Sequence, residues 1–380
     1  MPHSIYIHIP FCSNKCFYCD FNSFVTENEQ LVWDYLDALK AELEETVKIT
    51  PPTMIKTIFV GGGTPTFLNA QQMNYFLQFV NRCLPLQSSD IEFTMEANPG
   101  TTDLQKLKIM RDHGVNRLSF GVQSFDDELL KRIGRIHDAQ QVYHSIKNAK
   151  TAGFDNISID LIFGLPGQTV ERFQDTLNQA FSLGLQHFSA YSLKVEENTL
   201  FHVLYEKNQL ELPLEEEEVA MYDLVRNEMD KHGYHQYEIS NFAKKGYESR
   251  HNKTYWKNEY YYAIGAGAHG YVNGRRHVNA GPITHYLKLV KEKGLPRIEE
   301  FPVTKQETME EFMIMGLRLM EGVSRKEFKS RYVVDLDEVF GSQIEDLVKV
   351  GLLSSGGDRI CLTNKGIPLG NEVFVRFLES

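Results

Sequence analysis

Three cysteines, Cys12, Cys16 and Cys19, form a C-x3-C-x2-C cluster near the amino terminus. A structural zinc ion takes four protein ligands, so three thiolates on one short loop supply one too few. A four-iron cluster can use these three thiolates and leave one iron open for another ligand. The spacing therefore predicts an iron–sulfur centre with one exchangeable position, and the alternative is a chance grouping of buried or redox-active cysteines.

The cysteines follow a stretch that has the pattern of a β-strand. Residues 6–9 read Tyr-Ile-His-Ile, alternate in polarity, contain β-branched side chains and end at Pro10. If this is the first strand of an α/β protein, the cysteine loop lies at the carboxyl end of the sheet, where ligands usually bind. The sequence thus predicts a ligand site at that edge.

Strand and helix patterns alternate regularly through the first half of the chain. The predicted strands are residues 6–9, 58–60, 90–96, 116–121, 156–161 and 187–191. The predicted helices are residues 29–48, 70–83, 102–113, 139–152 and 170–183. This order implies parallel strands joined by helical crossovers, so we predict an α/β fold with six strand–helix units.

The pattern changes in the second half of the chain. It predicts a helix over 214–231, a strand over 234–241 and a hairpin whose type I′ turn is Asn273-Gly274. It then predicts helices over 306–321, 324–331 and 335–350, followed by a small hairpin at Gly356-Gly357, which together are winged-helix-like. We therefore divide the chain into a core (1–230), a barrel extension (231–302) and a small C-terminal helical domain (303–380).

Composition excludes several classes of protein. The 380 residues carry a net charge of −11, which argues against a broad nucleic-acid surface. The chain starts without the basic and apolar regions of a secretion signal, and it contains no run of 18 apolar residues. Five cysteines, three of them clustered, suit a reducing compartment. We expect a cytoplasmic protein, with peripheral contact to a membrane left open.

Polar and glycine residues recur where the predicted strands end. A glycine run, Gly61 to Gly63, follows the second strand and allows a ligand to approach the backbone closely. Each of these polar residues alone is more often a capping or solvated residue, but their shared position is typical of a barrel active site. The polar candidates are Glu96, Gln123, Arg135 and Asp160.

These motifs resemble the radical S-adenosylmethionine superfamily, and within it the branch of oxygen-independent coproporphyrinogen III oxidases. The matching stretches are the cysteine cluster, PFC (10–12), GGGTPT (61–66), GVQSF (121–125) and DLIFGLPGQT (160–169). The resemblance implies a partial (β/α)6 barrel. It also implies a 4Fe-4S cluster whose open iron is chelated by S-adenosylmethionine.

The resemblance assigns residues to the nucleotide as well. Tyr6, Gly62, Gly63 and Glu96 would line the cluster-bound S-adenosylmethionine. A second group would contact a second molecule or shape the site, and this group consists of Tyr18, Thr64, Gln123, Arg135 and Asp160.

Two departures from the oxidase pattern weaken the enzyme hypothesis. The oxidases carry a fourth cysteine two places after the third, where this chain has Phe21. They also have an extension before the first strand that helps to enclose the tetrapyrrole, and a radical reaction needs such water exclusion. Here the strand begins within six residues of Met1.

A third motif is similar to a related branch of haem chaperones. The segment H-N-x-x-Y-W spans residues 251–256, directly after Arg250. The resemblance implies haem contacts, with His251 as an axial ligand, Tyr255 and Trp256 stacked on the porphyrin, and Arg250 paired with a propionate. Asn252 belongs to the same candidate haem set. The alternative is ordinary core packing of the histidine, hydrogen-bonded to the backbone.

We therefore predict a radical-SAM-type haem chaperone that binds a 4Fe-4S cluster, S-adenosylmethionine and haem as cargo, with no catalytic residue assigned. Its expected partners are a haem-acceptor protein and an electron donor for the cluster. Membrane association of the acceptor, homodimer formation and cleavage of S-adenosylmethionine are left open. The alternative is a coproporphyrinogen III dehydrogenase that decarboxylates propionates in porphyrin biosynthesis.

Overall fold

The structure, a computed structural model, describes residues 1–84 and 87–378, so the last two residues of the predicted C-terminal domain lie outside it. Its strands in chain order are β1 Ser4–Ile9, β2 Phe11–Cys12, β3 Phe24–Val25, β4 Ile55–Gly62, β5 Gln87–Ala97, β6 Arg117–Gln123, β7 Asn156–Phe163, β8 His187–Ser192, β9 His235–Glu238, β10 Asn241–Ala243, β11 Tyr261–Ile264, β12 His269–Val272, β13 Arg275–Asn279, β14 Arg297–Pro302, β15 Val323–Ser324, β16 Leu353–Gly356 and β17 Arg359–Leu362.

Helices connect these strands. In chain order they are α1 Glu29–Ile49, α2 Ala70–Cys83, α3 Leu104–Asp112, α4 Asp127–Arg132, α5 Ala139–Thr151, α6 Val170–Ser182, α7 Leu200–Glu206, α8 Glu215–Lys231, α9 Arg250–Trp256, α10 Ile283–Lys293, α11 Lys305–Gly316, α12 Arg325–Tyr332, α13 Leu336–Lys349 and α14 Gly370–Val375.

Six parallel strands form the centre of a large sheet. They run in the order β1-β4-β5-β6-β7-β8, and each pairs in parallel with its neighbour. This order confirms the six predicted strand–helix units. In the part of the chain that the structure describes, the sheet is open, with β14 and β9 as its edges.

Alternation along each central strand separates a core face from an inner face. On β1, Ile5 and Ile7 are buried in the apolar core, while Tyr6 and His8 point to the opposite side. On β4, Ile58 and Val60 likewise belong to the core. The carboxyl ends of these strands therefore gather their inner-face side chains at one edge.

The helices that cover the core face are amphipathic, as α2 illustrates. Asn69 caps the helix by accepting from the N–H of Gln72, whose side chain accepts from the N–H of Asn69 in return. Its buried face includes Met73, Phe76, Leu77 and Val80, at the spacing of one helical stripe.

Further strands extend the sheet on both sides. β11 pairs in parallel with β1, and β12, β13 and β14 follow in antiparallel order. The predicted hairpin between β12 and β13 is confirmed, with positive φ at Asn273 (49°) and Gly274 (75°). The single strand predicted over 234–241 is wrong. It is split into β9 and β10, because the Glu238 side chain accepts from the N–H of Ser240 and the chain reverses there.

The C-terminal segment is winged-helix-like, as predicted. α11, α12 and α13 accompany a three-stranded sheet in the order β15-β17-β16. The predicted helix over 306–321 ends earlier, at Gly316. A Cβ at that position would collide with the Val323 side chain, and the N–H of Met320 donates to the carbonyl of Tyr237 instead of continuing the helix. Among residues 1–84 and 87–378, the structure contains no helix with the length and apolar character needed to span a bilayer.

A buried carboxyl on α1 holds the segment that connects β11 to β12. Glu42 is 2% exposed and accepts from the N–H of Gly265 at 2.9 Å and from Asn279 Nδ2 at 2.6 Å. Tyr286 on α10 donates to the same carboxyl. Burial raises the pKa of Glu42 to about 7 even though these hydrogen bonds oppose the shift.

This carboxyl should make the stability of the fold depend on pH. The folded protein holds the Glu42 proton up to about pH 7, whereas the unfolded chain releases it near the ordinary pKa of 4.5. Protonated Glu42 therefore stabilises the folded state fully below pH 4.5, and this stabilisation is lost as the pH rises through about 7. We expect urea denaturation to show that the free energy of unfolding of the wild type falls between about pH 4 and pH 8. This fall should exceed that of Glu42→Gln by an amount on the order of 3 kcal/mol.

The exposed Glu44 on the same helix provides the control for this measurement. Glu44→Gln should follow the wild-type pH dependence. Parallel stability curves for wild type and Glu42→Gln would show that Glu42 is not the group that titrates.

Candidate functional site

A cavity of about 450 Å³ opens at the carboxyl ends of the central strands. It brings together the three clustered cysteines and eight of the nine residues that the sequence assigns to S-adenosylmethionine. Its lining includes Cys12, Cys16, Cys19, Tyr18, Gly62, Gly63, Thr64, Glu96, Gln123, Arg135 and Asp160. Residues up to 148 positions apart in the sequence thus meet at the predicted edge.

The cysteine loop is fixed to the barrel by backbone contacts. The N–H of Phe17 donates to the carbonyl of Ile133 at 3.1 Å, and its carbonyl accepts from the N–H of Phe201 at 3.0 Å. Asn14 Nδ2 donates to the carbonyl of Gly134 at 2.8 Å. Gly134 has φ 75°, and a Cβ there would lie 2.8 Å from the Phe17 ring. A larger residue would therefore push the loop away.

A polar chain links two of the cysteines across the cavity. Cys12 Sγ lies 3.6 Å from Thr64 Oγ1, which accepts from Asn98 Nδ2 at 2.8 Å. Asn98 Oδ1 accepts from Arg135 Nη2 at 2.8 Å, and Arg135 Nη1 donates to Cys16 Sγ at 3.5 Å. Donors of this kind beside a metal ligand orient it for the bound metal.

The three thiols fit a cluster that binds each of them through a different iron atom. Burial raises the pKa of Cys12 and raises that of Cys19 to about 11, so these two thiols keep their protons when they bind no metal. Bound iron replaces such protons. Within the described residues, no three His, Cys, Asp or Glu side chains surround one ion position. The three thiols instead share one cavity, as separate cluster ligands require.

The glycine run, Gly61 to Gly63, allows the backbone itself to line the cavity. A Cβ on Gly61 would lie 2.7 Å from Glu96 Oε2, and one on Gly63 would lie 2.7 Å from the carbonyl oxygen of Phe11. Gly62 has φ 111°, and its N–H donates to Glu96 Oε2 at 3.1 Å. Glycine is required here because backbone, carboxylate and cysteine loop approach each other closely.

Two carboxyls face the cavity. Burial, followed by the negative charge of Asp160, raises the pKa of Glu96 to about 8. Burial also raises the pKa of Asp160, which accepts from Ser119 Oγ at 3.3 Å. Arg117, 2% exposed on β6, lowers both pKa values in part. The pair is suited to bind a cationic or hydroxyl-bearing ligand, which would favour the charged carboxylates.

Two residues of this cavity were missed by sequence reasoning. Asn98 lies in the polar chain between the cysteines, and its only signal was a polar side chain just after the third strand. Tyr191, one residue before the end of β8, is 37% exposed and donates to Gln123 Oε1 at 3.3 Å. Gln123 itself has φ 68°, an unusual conformation for a residue other than glycine, at a bulge that the sequence does not reveal.

A second cavity of about 380 Å³ borders the first. Both are lined by Phe21, Gly62 and Glu96, and Tyr6 faces the second one. The Tyr6 hydroxyl lies 2.9 Å from His8 Nδ1. The ninth residue assigned to S-adenosylmethionine therefore lies next to the other eight.

The residues of the candidate haem set do not come together in either of the two cavities described above. Of the five, Tyr255 lines the second cavity and the others do not. Arg250 donates to the carbonyl of Asp90 at the opposite end of the sheet, and the N–H of Asn252 donates to the Ser249 side chain. The Trp256 ring packs against the Arg318 guanidinium, with 4.4 Å between its carbon and the ring centroid. Arg318 follows the end of α11 in the sequence.

His251 is buried inside the protein. It is 0% exposed, with Nδ1 2.8 Å from Thr57 Oγ1 and Nε2 2.8 Å from the Tyr255 hydroxyl. Both ring nitrogens are thus engaged, so the structure presents no His251 nitrogen to a haem iron. The core alternative fits better, although its partners are side chains and not the backbone.

Comparisons with known proteins show which family the chain resembles along most of its length. The model of the radical SAM superfamily matches residues 6–180, and that of the HemN C-terminal domain matches residues 303–369. The chain is 49% identical over 375 residues to "Heme chaperone HemW" of Bacillus subtilis (strain 168), covering 99% of both chains. It is 36% identical to the protein of the same name from Escherichia coli (strain K12), covering 99% of this chain and 98% of the other.

The chain therefore belongs to the radical SAM superfamily and, within it, to the HemW family of heme chaperones. A solved structure of coproporphyrinogen III oxidase (HemN) from Escherichia coli has the same fold, with a TM-score of 0.88 over 99% of this chain and 90% of that one. At 24% identity this likeness concerns the fold alone. The relatives favour the chaperone over the dehydrogenase, and the superfamily implies a 4Fe-4S cluster and S-adenosylmethionine.

Proposed function

We propose that this protein binds haem next to a 4Fe-4S cluster and S-adenosylmethionine and delivers the haem to an acceptor protein. The main support is its similarity to HemW proteins along nearly the whole chain, combined with a cavity that gathers all three clustered cysteines. The bound cluster would supply an open iron and an electron. The protein's own residues hold and orient the ligands.

Cys12, Cys16 and Cys19 would hold the cluster in this proposal, and Arg135 would orient Cys16 by donating to its Sγ. The Gly62 backbone and Glu96 would bind the polar end of S-adenosylmethionine. Their close approach explains why a side chain at Gly61 or Gly63 is excluded. Four further residues line the main cavity but not the second cavity, and these are Tyr18, Thr64, Gln123 and Asp160.

Haem would bind at the mouth of the main cavity, against Phe21. This side chain is 60% exposed, lines both cavities and stands where the oxidases have a fourth cysteine. Tyr191 offers a second aromatic ring, and the exposed Lys15 and Lys194 can meet propionates. Lys194 is paired with Glu196 at 2.7 Å, a surface pair weak enough to exchange. An open mouth leaves the porphyrin edge accessible to an acceptor.

Spectral titration with haem tests this proposal. The cluster-containing protein should show a saturable Soret change, and the bound haem should then pass to an added apo-protein that binds haem. Phe21→Ala should weaken haem binding about tenfold, because an exposed ring contributes both area and stacking. Phe301→Ala, which removes an exposed ring from the edge strand β14, serves as the matched control.

The dehydrogenase alternative is decided by turnover. Incubation of the same preparation with coproporphyrinogen III, S-adenosylmethionine and a reductant should give no vinyl product. Formation of that product, together with haem binding that does not saturate, would contradict the chaperone proposal.

A further inference from the structure

The H-N-x-x-Y-W helix, α9, lies against the inner face of the sheet. Glu92 on β5 accepts from the N–H groups of Arg250 and His251, both at 2.9 Å. Thr254 Oγ1 lies 2.9 Å from Ser4 Oγ on β1. α9 is therefore fixed to the first residue of β1 and to the middle of β5.

The His251 ring is held rigidly in this position. It stacks on Phe59 with the ring centroids 5.2 Å apart and an interplanar angle of 29°. Burial, followed by the positive charge of Arg117, lowers the pKa of His251 to about 3, so the ring is neutral at physiological pH. A neutral imidazole has one donor and one acceptor nitrogen, and here Thr57 and Tyr255 use both.

Tyr255 extends this arrangement to the ligand site. Its hydroxyl lies 2.8 Å from His251 Nε2, and its ring packs edge-on against Tyr261 at 4.7 Å. The same side chain lines the second cavity together with Tyr6 and Glu96. Two consecutive hydrogen bonds thus connect Thr57 on β4, through the His251 ring, to Tyr255, which lines that cavity.

We propose that Tyr255 contacts S-adenosylmethionine and that His251 is a positioning residue for Tyr255, so that this motif serves the nucleotide site instead of the haem iron. This inference rests on the proposed S-adenosylmethionine site. Two imidazole bonds and a stacked ring fix one orientation of the Tyr255 hydroxyl, which spares the ligand the cost of ordering it. The helix therefore positions Tyr255 in the second cavity, beside Tyr6 and Glu96.

The distribution of the motif over α9 supports this role. Tyr255, four residues after His251, lies on the same face of the helix and reaches the cavity. Trp256 points elsewhere and packs with Arg318. The motif thus combines a site residue with its support and a separate contact to the C-terminal segment.

A double-mutant cycle on the cluster-containing full-length protein tests the proposal, with S-adenosylmethionine binding measured by calorimetry. His251→Ala and Tyr255→Phe should each weaken binding about tenfold, the loss expected for one buried hydrogen bond. The double variant should also lose about tenfold, because both changes remove one shared interaction. His251→Gln, whose amide can reach the Nε2 position, should recover part of the loss.

Haem titration of the same variants separates the two roles of the motif. Haem affinity and the Soret spectrum should be unchanged in His251→Ala, and Trp256→Phe should bind S-adenosylmethionine like wild type. Independent losses that multiply in the double variant would overturn the proposal, as would loss of haem with unchanged nucleotide binding. If His251→Ala does not fold, Tyr255→Phe alone decides, since unchanged nucleotide affinity in it overturns the inference.

Failure of this inference differs from failure of the proposed function. A wild-type protein that holds its cluster but binds no S-adenosylmethionine would overturn both. A wild type that binds it, with variants that bind equally well, would overturn only the role of His251 and Tyr255.

Discussion

A Cys16→Ala variant is expected to lose its iron and acid-labile sulfide almost completely, together with the broad visible absorbance of the cluster. The cavity holds three thiols, and a four-iron cluster that already leaves one iron open has no spare protein ligand. Removing one thiolate leaves two irons without a protein ligand. Iron analysis after anaerobic reconstitution should show at least about a tenfold decrease, greater than the effect of changing a residue beside the ligands.

Cys83 and Cys361 provide matched controls, because both are free, partly exposed thiols outside the cavity. Cys83→Ala and Cys361→Ala should keep the full iron content. Arg135→Gln, which removes the donor to Cys16 Sγ, should keep the cluster but bind it less tightly. Full iron content in Cys16→Ala would contradict the assignment of the cluster ligands.

The cluster loop and the sheet edge could be predicted because local signals determine them. Cysteine spacing is independent of distant contacts, and the alternation of β1 and β4 follows from burial on one face. Once the strands are parallel, their carboxyl ends must lie together. That geometric rule placed Glu96, Gln123 and Asp160 in one cavity without any knowledge of side-chain contacts.

The haem assignment of the H-N-x-x-Y-W segment had no such support. Sequence shows that His251 and Tyr255 share a helical face, but it does not show which surface that face contacts. The deciding partners, Thr57, Glu92 and Arg318, are each more than 60 residues away in the sequence. Likewise, the bulge at Gln123 depends on the pairing of β6 with β7.

Glu96 should control how tightly the protein binds S-adenosylmethionine. Its carboxyl already accepts the Gly62 N–H, so Glu96→Gln preserves that contact and removes only the charge. A hydrogen bond between a carboxylate and a cationic ligand group is worth about 1.5–3 kcal/mol. We therefore expect calorimetry at about pH 8 to show affinity about 10- to 100-fold weaker in Glu96→Gln, with the iron content unchanged.

The pH dependence of binding should identify the same group. Without ligand, the pKa of Glu96 is about 8, so near neutral pH the carboxyl is mostly protonated and must release its proton to bind a cation. Affinity should therefore rise with pH up to about 8 in wild type and change less in Glu96→Gln. Asp160→Asn should shift the rise to lower pH, because the charge of Asp160 helps to raise the Glu96 pKa. If wild type and Glu96→Gln have the same slope, the proton comes from the ligand's own amino group and not from Glu96.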